Sequence, residues 1–204
     1  MAFGRGSERE RIQLDFITII GLVILALATF FQIAGLVSNH WVDTVSDQYG
    51  TVGYSGLWQT CTNMGLTRDS CRGFRWTDNQ VSHWFRTVQA MEVLGFMFGC
   101  ISLLMLLLKS LVETCMENRR LKVISIALLA TAFLFVMIAG IVVAALKDVQ
   151  KAFVINSDAY LSWGFGVSIT ASLLYLASCI AVGHYMLVNE LVETNIPFKV
   201  DKYR

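Results

Sequence analysis

Charge is scarce in this chain. Of its 204 residues only 15% are charged and 55% are hydrophobic, whereas a soluble domain has about a quarter charged and 45–50% apolar residues. That balance argues against a soluble enzyme. The formal net charge is +1 and no Lys/Arg tract exceeds two residues, so the electrostatic footprint of a nucleic-acid partner is missing and none is expected. Proline occurs once. There is no HExxH motif, no nucleophile with a matching base, and no intramembrane ionisable pair. The parts of a transporter or a membrane enzyme are lacking, and neither catalysis nor a cofactor is expected.

What the chain does have is four long apolar runs, 14–37, 88–112, 123–146 and 161–188. A bilayer core about 30 Å thick is crossed by roughly 20 helical residues, and each run is long enough. None shows the period-2 alternation of a barrel strand. The first run is too long for the apolar core of a signal peptide and has no well-placed small-x-small cleavage site behind it. It is read as a retained span. Ten basic residues lie on the segment 1–13, on 113–122, on the tail 189–204 and at Lys109, against six on 38–87 and 147–160 together. The positive-inside rule then places both termini in the cytoplasm. Trp84, Phe85, Tyr160 and Trp163 mark the outer boundary. The expectation is one tetraspan membrane domain over 1–204, with 38–87 and 147–160 as its extracellular loops.

The first of these loops holds four of the five tryptophans and the stretch "GLWQTCTNMGLTRDSC". Cys61 and Cys71 are the two cysteines this topology exposes to an oxidising compartment, so they are expected to be joined. Zinc is the rival reading, but it would need His40 and His83 to complete a tetrahedral site, and both lie near membrane boundaries. "WVDTV" and "TVGYSGLWQTC" read as strands with "SDQYG" as the turn between them. A small antiparallel sheet stapled by a disulfide is what such a loop can support. Trp41, Leu57 and Trp58 read as that sheet's own core, resting it on the bilayer surface.

These residues carry a resemblance. Trp41, then Gly56-Leu57-Trp58, then Cys61 and Cys71 resemble the claudin signature W…GLW…C…C. The likeness extends to the four spans, the long first and short second loop, Arg86 ahead of the second span, and "AYLSWGFG" opening the fourth. "HWFRTVQAM" is similar to the W-L-x-x-V-Q-A stretch of the peripheral myelin and epithelial membrane proteins, which share a superfamily with claudins and channel γ subunits. The resemblance implies an all-α transmembrane four-helix bundle, left-handed, with a small disulfide-stapled extracellular antiparallel β-sheet. It also implies homo- or hetero-oligomers with related tetraspan proteins, side by side in one membrane and across to the next cell. On the alternative reading, the protein is an auxiliary subunit modulating a channel or membrane organisation. Three departures stand out: there is no Asn-x-Ser/Thr sequon, no proline in 147–160, and the chain ends "DKYR". Arg204 does not suit the apolar pocket of a PDZ domain, so scaffold binding by the tail is not expected.

Arg68, Asp69, Arg72 and Arg75 form a charged stretch around the second cysteine. It reads first as a solvated face; the sharper reading has Arg72 lining an intercellular pore that favours anions. Glu92 lies about one turn inside the second span, where it reads as snorkelling to the headgroups or carrying a proton rather than serving transport. Gly95 and Gly99, with Ser168 and Ser172, are small-x-x-x-small pairs expected to pack within the bundle. Cys115 is a candidate for S-palmitoylation, with an unmodified thiol as the alternative. Cys100 and Cys179 read as packing residues.

Overall fold

A computed structural model describes residues 4–46, 50–62, 70–74, 81–111, 119–147 and 157–195. The elements are α1 (Gly4–Val37), β1 (Val42–Ser46), β2 (Gly50–Ser55), β3 (Gln59–Thr62), β4 (Ser70–Gly73), α2 (His83–Leu111), α3 (Arg119–Leu146), β5 (Ser157–Leu161) and α4 (Trp163–Asn195). All four helices are long and apolar enough to cross a membrane. In hydrocarbon no water can satisfy backbone N–H and C=O groups, and a helix satisfies them within itself. Four uninterrupted apolar runs therefore become four helices.

The helices form a ring in which α1 packs on α4 and α2, and α3 on α2 and α4. Their outward faces are apolar: Phe30 is 67% exposed and Ile180 63%. Their inward faces carry the polar residues, with Gln32, Glu92, Ser102 and Ser172 fully buried. Lipid is as apolar as leucine, so outward leucines cost nothing and close helix approach relies on small residues and hydrogen bonds. Gly95 faces α3, where a Cβ would lie 2.6 Å from Val136 Cγ2, and Gly99 faces the Tyr175 ring of α4. Ser168 lies against Gly35 of α1. The two pairs of small residues thus pack within the bundle. Cys100 and Cys179 are half-buried in it.

The strands make one five-stranded antiparallel sheet in the order β4-β3-β2-β1-β5. Gly50 opens β2 with φ +71°, a left-handed backbone that glycine adopts without a Cβ clash. The register shifts between Thr44 and Val45 of β1. Cys61 and Cys71 face each other across β3 and β4 and are joined by a disulfide, S–S 2.03 Å. Zinc is thereby replaced by the covalent reading.

β4 and β5 are strands that the sequence reading did not contain, and the stretch 51–61, read as one strand, is divided into β2 and β3. In β5, "SDAYL" has little of the β-branched character that marks a strand; it is held by five register pairs with β1. Residue 161, read as the start of the fourth span, closes this strand.

Candidate functional site: the sheet and its stem

The last carbonyls of a helix have no partner within it. At the end of α1 two of them accept indole N–H groups: Trp41 Nε1 donates to Gly35 O at 2.8 Å and Trp58 Nε1 donates to Leu36 O at 2.6 Å. Ser38 N adds a bond of 3.2 Å to the same Gly35 carbonyl. Two signature tryptophans therefore cap the helix that precedes them in the chain. Trp41 is buried and edge-on to Phe165 of α4, while Trp58 is 38% exposed.

The expectation that Trp41, Leu57 and Trp58 form a core internal to the sheet needs correction. The cluster that buries Trp41 and Leu57 is completed by Leu36, Phe85, Val88 and Val143 from the ends of three helices. The sheet is too small to bury both large side chains between its own faces, so the bundle supplies the other wall.

Gly56 explains why the turn before Leu57 has no side chain: a Cβ there would overlap Ser38 O and lie 2.6 Å from Asn39 Cα. Leu57 is fully buried beyond it. Its carbonyl accepts the side-chain amide of Gln89 from α2, and Trp58 O accepts Phe74 N at 2.8 Å. On the other side Trp41 O accepts Ser162 N at 2.9 Å and His40 O accepts Gly164 N at 2.8 Å. Asp43 accepts Ser162 Oγ at 2.7 Å and faces His40 Nδ1 at 3.1 Å, with the His40 ring stacked on Tyr54 at 4.2 Å. Lys147 Nζ, at the end of α3, donates to Ala159 O at 3.0 Å. The stem thus fastens the sheet to all four helices.

Arg72 lies exposed on β4, the strand at one edge of the sheet, opposite Thr60. Arg86 is half-buried in the first turn of α2. Arg68, Asp69, Arg75 and Cys115 lie outside the described residues.

Glu92 does not snorkel. It is fully buried in the bundle, where Gln32 Nε2 donates to its Oε2 at 2.5 Å and Ser168 Oγ donates to both carboxyl oxygens, at 3.2 and 3.1 Å. The helix turns Glu92 toward α1 and α4 rather than toward lipid, and two polar partners wait there. Gln89, Gln32 and Ser168 were not singled out in the sequence as partners of the stem or of Glu92. Their one visible signal was polarity inside apolar runs.

The model of the PMP-22/EMP/MP20/Claudin family matches residues 13–186. The chain belongs to this family. Membership, with four helices long and apolar enough to span, makes it a multi-pass membrane protein. No curated protein matches it. The matched range of this family member takes in every strand of the sheet, and with it the whole stem.

Proposed function

We propose that this protein is a claudin-like component of cell–cell contacts in the plasma membrane, forming or regulating a paracellular barrier by assembling with related tetraspan proteins. The observation that carries the reading is the disulfide-closed five-stranded sheet held on one end of the bundle by Trp41, Leu57 and Trp58. A disulfide persists in an oxidising compartment, which suits an extracellular sheet and cytoplasmic termini; the distribution of Lys and Arg points the same way. A small, stapled sheet offers a rigid surface that a neighbour can meet with little ordering entropy lost. On this reading the protein catalyses no reaction, and its tail binds no PDZ scaffold.

A second reading, an auxiliary protein acting on a channel or on membrane organisation, draws support from Gln89. This is the glutamine of the "VQA" stretch resembling the peripheral myelin group, and here it holds Leu57 in the stem. Imaging the tagged protein in confluent and in isolated cells separates the two. Junctional function predicts enrichment at borders between two expressing cells and a raised transepithelial resistance. Uniform staining of contacting and free membrane, with unchanged resistance, would favour the second reading.

A further inference from the structure

Glu92 belongs to no feature of the stem, yet its surroundings repeat the layout of the stem. Of the four helices that fasten the sheet, three do so through hydrogen-bonding groups within their own ends: α1 through Gly35 O and Leu36 O, α2 through Gln89, and α4 through Gly164 N. One helical turn deeper, the same three helices meet each other through Gln32, Glu92 and Ser168. The offsets are three or four residues in each case, about 5 Å along a helix axis. Chain direction agrees: α1 runs toward the sheet, so Gln32 precedes Gly35, whereas α2 and α4 run away from it, so Glu92 and Ser168 follow Gln89 and Gly164.

We propose that the Gln32–Glu92–Ser168 cluster is a positioning latch for the sheet, fixing the spacing of the three helix ends on which the sheet is seated. The physical argument starts from what holds helices together in lipid. Without a hydrophobic gain over lipid, helices there associate through van der Waals packing and interhelical hydrogen bonds, and the bonds between polar groups are the directional ones. Glu92 is the sole member that bonds to both other helices. Among the described residues no Lys, Arg or His pairs with it, so the carboxyl works through hydrogen bonds to an amide and a hydroxyl. Among the described residues the side-chain carbonyl of Gln32 has no partner, leaving the bond to Glu92 as the one that sets where the amide lies. Ser168 adds a steric constraint, because its backbone would lie 3.3 Å from a Cβ at Gly35, the residue whose carbonyl receives Trp41. A shift of α1 against α4 at this level moves that carbonyl directly. α3 is the internal control: it meets the sheet through the apolar contact of Val143 and the bond from Lys147, and contributes no group to the latch.

The test is hydrogen exchange on the full-length protein in lipid nanodiscs, comparing wild type with Glu92→Leu, Glu92→Gln and Ser168→Ala. Glu92→Leu is expected to reduce amide protection in residues 41–62 about tenfold or more while the disulfide stays formed and residues 125–136 of α3, which lie away from the sheet's apolar cluster, change less than twofold. Glu92→Gln keeps a donor and an acceptor at the same place and is expected to retain protection of the sheet. Ser168→Ala removes one partner and is expected to give a smaller loss in the same residues, which keeps the test open if the leucine variant does not fold. Unchanged protection of 41–62 in Ser168→Ala, or a loss spread equally over α3, would overturn the proposal, as would a glutamine variant as damaged as the leucine one. The readout uses isolated protein, so it stands or falls separately from any junctional role.

Discussion

The bundle and the sheet are held by opposite means. In the bundle the closest approaches occur where side chains are smallest, as at Gly95 against Val136 and Gly35 against Ser168. Large apolar residues such as Phe30 and Ile141 face outward. In the sheet, strands four to six residues long have a backbone ladder, a disulfide and a borrowed apolar wall. Apart from hydrogen bonds such as those at Glu92, the bundle is secured by atoms that are missing, the sheet by bonds that are present. Substitutions should therefore injure them in opposite ways: adding a methyl group harms the bundle, and removing a bond harms the sheet.

The largest test of this contrast is to replace Cys61 and Cys71 with serine. Closing a loop of this length restrains the unfolded chain by about 2–3 kcal/mol, and β3 and β4 should lose most of their exchange protection. The four helices should keep theirs, measured by hydrogen exchange on the same sample. Equal loss in both regions would show that the bundle leans on the staple. Next is Gly95→Ala. Its new Cβ meets a side-chain tip, Val136 Cγ2 at 2.6 Å, and a backbone oxygen, Ala132 O at 3.3 Å. Val136 is fully buried and β-branched, stiff at χ1, so the helices themselves must shift and the cost falls in the middle of the overpacking range, about 2 kcal/mol. It should appear as weaker association of α2 with α3 in a cysteine cross-linking assay, with the sheet unaffected. The smallest structural effect is expected from Arg72→Asp on exposed β4. It should spare both regions and shift the dilution potential of an expressing cell layer toward cations; an unchanged potential would leave Arg72 as a solvated residue.

The spans were legible because lipid imposes one demand on every residue of a run, and apolarity over more than 20 residues meets it in only one way. The disulfide was legible through topology: sidedness left one pair of cysteines outside. β1 and β2 announced themselves through Val, Thr and Tyr. β3 was read as one stretch with β2, which the turn at Gly56 to Trp58 divides, and β4 lies in a charged stretch that gave no strand signal. β5 gave none either, because Ser157, Asp158 and Ala159 are strand residues by pairing with β1 alone. The partners of Glu92 were hidden for a related reason. Gln32 and Ser168 are 60 and 76 positions away, and a lone carboxylate near a membrane boundary looks the same in sequence whether it faces headgroups or a buried amide. Trp41 and Trp58 were assigned to the sheet, yet their indoles finish the helix before it, because orphan carbonyls at a helix end leave no mark in the sequence.

The order of synthesis gives β5 a further consequence. β1 leaves the ribosome early, but its second neighbour follows only after α2 and α3, roughly a hundred residues later. At about 5–20 residues per second that is a wait of roughly 5–20 s. During it β1 has β2 on one side and an open row of N–H and C=O groups on the other, where β5 will pair. The first four strands and their disulfide have time to form as a hairpin stack before the fifth arrives. A nascent chain halted before β5 therefore presents an unpaired strand edge on β1, the kind of edge that pairs readily with another chain.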